Sequence, residues 1–172
     1  SMTVISVERR HAFRSLMDDL DRRILTQASL TLVDKHLRED DKDEILYHLI
    51  LDWVHFIDEQ NLIEKKQQAL LLGSFLLRMM QQLGYEVYLG DCVACKDKIM
   101  PLAFRWHGGK GGLVCTDCVQ KDGEEWFAAR TISEESVKIL RFARESEYEE
   151  IAQTNFDRNH IEDFVRIVHD LM

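Results

Sequence analysis

The sequence has little proline and no long apolar run. One proline, Pro101, occurs in 172 residues, which favours long helices over irregular loops. The longest apolar run is "ALLLGSFLL" at 69–77, far shorter than the ~20 residues that a membrane-spanning helix needs. The first residues also lack the basic and apolar pattern of a secretory signal peptide. We therefore expect a cytoplasmic protein that makes no contact with a membrane.

Basic residues are outnumbered, with 22 Lys and Arg against 31 Asp and Glu and a formal net charge of −9. The acidic excess lies in residues 1–60 and 123–172, whereas residues 61–122 contain 8 basic and 6 acidic residues. Proteins bind nucleic acid mainly by neutralising phosphates with Lys and Arg. Bulk electrostatics therefore opposes such binding, and any contact is expected in the middle of the chain. The alternative is that the charge only makes the surface soluble.

Apolar residues recur at helical spacing on both sides of a cysteine-containing segment. Asp41 or Asp43 is a candidate N-cap of the second helix, and Gly84 is typical of the end of the third. The third helix is apolar nearly all round in "ALLLGSFLLRMMQQL", which places it at the centre of a bundle. Predicted helices cover about 7–37 with a candidate break at 26–29, then 43–59, 61–83, a helix from Ser133, 148–152 and 158–172.

All four cysteines fall between Gly90 and Val119, in two C-x2-C pairs: Cys92 with Cys95, and Cys115 with Cys118. Two such pairs at this separation are typical of a zinc site with four thiolate ligands. A two-residue spacing lets one tight turn direct both thiolates at one metal ion. The "GGKGG" sequence between the pairs suits a short β-hairpin that brings the second pair back to the first.

Three other roles for the cysteines can be weighed. A thioredoxin-like redox centre needs one reactive C-x-x-C at the start of a helix that follows a strand, and neither pair is in that context. Disulfides are disfavoured in a cytosolic chain. A catalytic zinc keeps one coordination position open for water, whereas four thiolates close the shell. A single structural Zn²⁺ is therefore the favoured interpretation.

No other group of residues indicates an enzyme. The "GGKGG" sequence lacks the spacing of a phosphate-binding loop. His107 lies between the cysteine pairs, but with four thiolates present a surface or packing role is favoured over metal binding. His48 and His55 share a helix face, where packing or exposure explains them better than a ligand role. Trp106, beside Arg105, could stack on a nucleic-acid base, although packing within the hairpin is favoured.

The order of these features resembles the C-terminal part of the bacterial recombination mediator family RecO. The resemblance rests on Phe75, Leu77 and Arg78 in the central helix, on "LGY" at 83–85, and on the two C-x2-C pairs, the second within "GGLVCTDC" at 111–118. It covers roughly residues 10–172. Only the four cysteines carry over from the family residue by residue.

The resemblance implies a mainly α protein: a helical bundle with a small four-cysteine, zinc-ribbon-like β-hairpin insertion. We expect one domain over residues 3–172, with the insertion at about 86–122. RecO-like proteins also have an N-terminal OB-fold barrel, and no strand-rich segment precedes the first helix here, so we expect the barrel to be absent from this chain.

The resemblance further implies a non-enzymatic module for DNA gap repair and homologous recombination, acting in the cytoplasm and at the nucleoid. RecR and single-stranded-DNA-binding protein are the implied partners, and DNA binding by this acidic chain is expected to be weak. The alternative is a zinc-stabilised helical scaffold or regulator with no DNA role. Candidate contacts for DNA or a partner lie in the less acidic middle of the chain: Lys65, Lys66, Arg78, Lys96, Lys98, Arg105, Trp106 and Lys110.

Overall fold

The computed structural model describes residues 5–6, 8, 11–37, 43–60 and 64–171. Within these residues the chain forms eight α-helices and one two-stranded antiparallel sheet. The mainly helical class with a small hairpin is therefore confirmed. The elements are α1 (Arg14–Asp18), α2 (Leu20–His36), α3 (Glu44–Glu59), α4 (Lys65–Gln82), β1 (Phe104–His107), β2 (Gly112–Cys115), α5 (Thr116–Lys121), α6 (Glu134–Glu145), α7 (Tyr148–Gln153) and α8 (Arg158–His169).

The break between the first two helices lies at Asp19. This residue is extended, with φ −116° and ψ 122°, and its carboxylate accepts a hydrogen bond of 2.9 Å from the backbone N–H of Arg22. Aspartate is a preferred N-cap, so a new helix begins after it. The predicted break at 26–29 is wrong, because those residues lie inside α2. Val7, the predicted start, lies outside the described residues, and the first helix begins at Arg14.

The second predicted helix is confirmed as α3, with Asp43 as its N-cap. The Asp43 carboxylate accepts a hydrogen bond of 2.9 Å from the backbone N–H of Leu46. Asp41, the other candidate, lies outside the described residues. Trp53 of α3 is fully buried, and its indole N–H donates to the hydroxyl of Ser29 at 2.8 Å. This hydrogen bond satisfies two buried polar groups where α3 packs on α2.

Helix α4 is central, as predicted. It packs against α2, α3, α6, α7 and α8, and the buried residues of its middle lie all round its circumference. Gly73 lets α8 approach, because a Cβ at this position would lie 2.6 Å from Cζ of Phe164. Gly84 follows the helix with φ +87°, the left-handed conformation that ends many helices. Asn61, the predicted start, lies outside the described residues, and α4 begins at Lys65.

The last three helices are confirmed as α6, α7 and α8. Ser133 caps α6 by accepting a hydrogen bond of 3.0 Å from the backbone N–H of Ser136. Helix α8 ends at His169, earlier than predicted, and Met172 lies outside the described residues. Among the described helices none is long and apolar enough to cross a membrane.

Two hydrophobic clusters form the interior. The larger joins the helices to part of the cysteine segment, since Phe104, Trp106 and Leu113 of the hairpin belong to the cluster that contains Trp53 and Phe75. The smaller lies within the cysteine segment and contains Cys92, Val114, Trp126 and Ala129. The hairpin is therefore packed onto the bundle, and the residues around the cysteines have a small core of their own.

Candidate metal centre and basic surface

The hairpin brings the two cysteine pairs together. Strands β1 and β2 pair in register, with Phe104 opposite Cys115 and His107 opposite Gly112. The connection is a 3₁₀ turn at Gly108–Lys110 followed by Gly111, whose φ of +65° is one that glycine adopts without strain. Gly112 cannot carry a side chain, because a Cβ there would lie 2.7 Å from the Tyr88 carbonyl oxygen. Gly111 thus permits the turn, and Gly112 permits the close approach of Tyr88, which precedes the first cysteine pair, to strand β2.

The four sulfurs of Cys92, Cys95, Cys115 and Cys118 lie within 4.8 Å of one another. The Cys95 and Cys115 sulfurs are 3.9 Å apart. Four thiolates around one ion, each at 2.3 Å, would stand about 3.8 Å apart in a tetrahedron. The cluster therefore has the donor set and the dimensions to bind a metal ion.

Backbone N–H groups point at these sulfurs. The N–H of Cys115 donates to the Cys92 sulfur at 3.3 Å, and the N–H of Cys118 donates to the Cys115 sulfur at 3.5 Å. Burial opposes ionisation of Cys92, but the backbone N–H groups of Cys115, Cys95 and Ala94 lower its pKa to about 7. Such donors stabilise thiolate charge around a metal.

Two of the other thiols, Cys95 and Cys118, do not ionise as readily. The backbone N–H of Asp97 favours the Cys95 thiolate, but desolvation and the neighbouring sulfurs outweigh it and raise the Cys95 pKa to about 12. The pKa of Cys118 is also raised, chiefly by its contact with Cys115. Four negative charges at this spacing repel one another unless a cation lies among them.

His107 is not part of the cluster. It is buried, and its Nδ1 accepts a hydrogen bond of 3.2 Å from the backbone N–H of Lys110. Its ring packs edge-on against that of Trp126, with the ring centres 5.5 Å apart. Of the surface or packing role expected for it, the structure shows packing. The sequence did not predict α5, the short helix that begins directly after Cys115 and carries Cys118. Its brevity leaves no periodic apolar pattern to detect.

Two of the eight candidate contacts are engaged inside the fold. Trp106 is fully buried, so it is not available to stack on a base, and its packing role is confirmed. The Arg78 guanidinium lies 4.2 Å from the centre of the Tyr148 ring and donates to the Ser146 carbonyl. It borders a 490 Å³ cavity that is also lined by Asp52, Glu147 and Glu149. Those carboxylates disfavour a phosphate there, so the contacts of Arg78 favour a packing role over a DNA contact.

Lys65 and Lys66 lie apart from the other candidates. They begin α4, whereas the cysteine segment follows its C-terminal end, about 25 Å away along the helix. Lys66 donates to the Asn155 side chain at 2.9 Å and lies 3.2 Å from a carboxylate oxygen of Glu64. The structure therefore does not bring all eight residues into one surface.

The four basic candidates between Gly90 and Val119 are exposed: Lys96, Lys98, Arg105 and Lys110. The Lys96 ammonium lies 4.6 Å from the centre of the Tyr88 ring, and the Lys110 ammonium lies 2.8 Å from a carboxylate oxygen of Glu125. Lys98 and Arg105 have no side-chain hydrogen bond or ion pair with any part of the chain that the structure describes.

An apolar turn lies between those two cations and was not singled out from the sequence. Met100 is 65% exposed and Leu102 is 85% exposed, on either side of Pro101. The available signal was a lone proline between two large aliphatic residues. We call Met100–Leu102 the apolar turn, and we call residues 86–130, which contain it, the cysteine lobe.

Comparison with known proteins gives one family. The family model described as "Recombination protein O C terminal" matches residues 17–172. No solved structure is significantly similar to the chain.

Three curated relatives illustrate the similarity, and each is named "DNA repair protein RecO". The one from Desulfitobacterium hafniense (strain DSM 10664 / DCB-2) is 25% identical over 156 residues, which is 91% of this chain and 55% of the relative. The one from Symbiobacterium thermophilum is 30% identical over 125 residues, 69% of this chain and 46% of the relative. The one from Alkaliphilus metalliredigens is 25% identical over 149 residues, 87% and 57% respectively. The chain thus spans about half the length of the curated relatives it matches.

Proposed function

Because the chain belongs to the family of recombination protein O C-terminal domains, we propose that it is a non-enzymatic module of a DNA repair mediator. It would act in DNA gap repair and homologous recombination, in the cytoplasm and at the nucleoid. The observation that carries this proposal is the family match over residues 17–172 together with the closed four-cysteine cluster at the end of the central helix.

The four cysteines would hold one structural Zn²⁺. Thiolate sulfur is a preferred zinc ligand, and four of them complete a tetrahedral shell. Such an ion would supply charge neutralisation and a cross-link between the two C-x2-C turns, and a full shell leaves no position for a reacting water. This supports a structural role and accords with a chain that has no catalytic activity of its own.

The cysteine lobe would contact DNA. Lys98 and Arg105 are exposed there and form no ion pair with the described residues, and residues 98–116 contain no Asp or Glu in a chain whose net charge is −9. Repulsion from the acidic remainder would keep the affinity low and strongly dependent on salt.

RecR and single-stranded-DNA-binding protein are the proposed protein partners. Lys65 and Lys66, at the N-terminal end of α4, would then contact a protein partner rather than DNA. They border an apolar groove of 770 Å³ between α4 and α8 that is lined by Ala69, Ile161 and Val165. A surface that is apolar at its centre and polar at its rim is typical of protein interfaces.

The DNA role can be tested by fluorescence anisotropy with labelled DNA at low salt. Lys98→Glu combined with Arg105→Glu should weaken binding and reduce the slope of log affinity against log salt by about 2, since two phosphate contacts are lost. The matched control is Lys35→Glu with Arg158→Glu, which changes the charge equally on exposed parts of α2 and α8. If both double variants behave alike, the proposed DNA surface is wrong.

The partners can be tested by pull-down with RecR and with single-stranded-DNA-binding protein. Lys65→Glu with Lys66→Glu should reduce retention of one of them, whereas Lys98→Glu with Arg105→Glu should not. A chain that retains neither partner and shifts no DNA would instead be a zinc-stabilised scaffold.

A further inference from the structure

The apolar turn is exposed, and its backbone is constrained. Leu102 has a φ of +61°, which is uncommon for a residue other than glycine, and Pro101 fixes its own φ near −65°. The backbone N–H of Ala103 donates to the Met100 carbonyl at 3.3 Å, and the N–H of Thr116 donates to the Ala103 carbonyl at 3.1 Å. The turn is therefore tied to the residue that follows Cys115. A strained, braced and exposed apolar turn calls for a functional explanation.

Charge around the turn favours a polyanion. Lys98 precedes it and Arg105 follows it, both exposed and without ion pairs among the described residues. The nearest acidic residues along the chain are Asp97 and Asp117, which flank the acid-free stretch 98–116. A partner that covers the turn must therefore accept, beside an aliphatic tip, two cations that form no ion pair with the described residues.

The chemistry of the tip distinguishes duplex from single-stranded DNA. Proteins that bind single strands offer aromatic side chains on which bases stack, but this tip is aliphatic and Trp106 is buried. Aliphatic side chains such as Met, Leu and Pro are instead used as wedges that enter between adjacent base pairs of a duplex.

We propose that the apolar turn, Met100–Leu102, is a wedge that enters between base pairs of duplex DNA while Lys98 and Arg105 contact the flanking phosphates. This rests on the proposed DNA contact of the cysteine lobe and adds how that contact is made. Insertion between base pairs unstacks one step and bends the duplex, which lets more of the lobe approach the backbone.

The experiment uses the 172-residue chain with Zn²⁺ and a short duplex that carries 2-aminopurine at its central step. Insertion should raise 2-aminopurine fluorescence, because the base loses its stacking partner, while anisotropy of a terminal dye reports binding. Leu102→Asn removes the apolar side chain but keeps a residue that tolerates the left-handed conformation. It should abolish the fluorescence rise and weaken binding on the order of tenfold.

Further variants separate insertion from electrostatic attraction. Met100→Gln should reduce the fluorescence rise in the same way. Lys98→Glu with Arg105→Glu should weaken binding and lower its salt dependence. Unchanged zinc content and melting temperature of Leu102→Asn would show that the turn alone was altered.

Each outcome decides between the proposals. If the unaltered chain binds no duplex at low salt, both the DNA contact and the wedge are wrong. Binding without a fluorescence rise, or with a rise that Leu102→Asn leaves intact, overturns the wedge and keeps the DNA contact. Tighter binding to a single strand that depends on Leu102 would overturn the assignment to duplex DNA.

Discussion

Single residues in this chain could be assigned from the sequence where chemistry fixes their spacing. The four cysteines needed only their two-residue intervals and the glycines between them to be recognised as one cluster. Trp106 and Arg78 were different, because the same residue types serve packing and recognition. Their roles depend on contacts with Arg130, Tyr148 and Ser146, which are distant along the chain.

Replacing Cys115 by Ser should remove the metal and destabilise the fold. Binding energy at a structural site contributes to folding, so we expect the free energy of unfolding to fall by about 3–5 kcal/mol. Mass spectrometry under native conditions gives the metal content, and urea denaturation gives the stability. Thr116→Ser, a conservative change at the next residue, should leave both unchanged. A metal-free Cys115→Ser chain that is as stable as the original would contradict the structural role.

Gly73 provides a prediction about packing. Gly73→Ala would place a Cβ against the Phe164 ring, in the contact between α4 and α8. Overpacking of this kind costs about 1–3 kcal/mol, and thermal unfolding should show it as a lower melting temperature. Gly90→Ala is the matched control, because no atom lies within 4 Å of its added Cβ and its φ is not positive. Equal effects of the two changes would mean that the close contact is absent.

At the scale of elements, the sequence predicted the long helices and missed the short features. Periodic apolar residues over several turns mark α3 and α4. Asp43 marks the start of α3, and Gly84 marks the end of α4. The break at Asp19 was missed because the apolar pattern continues across it. The new helix is marked instead by its N-cap, in which the Asp19 carboxylate accepts a hydrogen bond from the Arg22 backbone N–H. A helix as short as α5 is stabilised by its tertiary setting, here beside Cys115, rather than by its own propensity.

The start of α3 should depend on pH. The backbone N–H of Leu46 lowers the pKa of Asp43, and partial desolvation opposes this less strongly. The ionised cap therefore stabilises the helix fully above the ordinary aspartate pKa of about 3.9. That contribution is lost as the pH falls through the lower pKa of the folded state.

Two substitutions test this prediction. Asp43→Ala should lower the melting temperature by a few degrees at neutral pH, and the deficit should shrink as the pH falls below about 4. Asp43→Asn keeps a capping side chain and should differ less from the original at neutral pH. A deficit of Asp43→Ala that is constant from pH 7 to pH 3 would show that the charge of Asp43 does not contribute.

At the scale of the whole molecule, the contacts join the cysteine lobe to the helices. Phe104, Trp106 and Leu113 belong to the main hydrophobic cluster. Helix α6 holds the segment before the first cysteine pair, since Arg144 donates to the Val87 carbonyl at 3.0 Å and Arg141 donates to that of Leu89. Such contacts between elements remote in sequence could not be inferred from local patterns. They support the proposal that residues 3–172 form one domain, with the zinc-binding insertion at about 86–122.

One domain predicts one unfolding transition that includes the metal site. With Co²⁺ in place of Zn²⁺, the cobalt–thiolate absorption reports the lobe, and far-UV circular dichroism reports mainly the helices. If the shared cluster couples the two parts, both signals should be lost at the same temperature, and removal of the ion by a chelator should lower that temperature for the helices as well. Arg144→Ala, which removes one attachment of the lobe, should lower the common temperature without separating the signals. Loss of the cobalt absorption in an earlier, separate transition would mean that the lobe unfolds independently and that the chain contains two cooperative units.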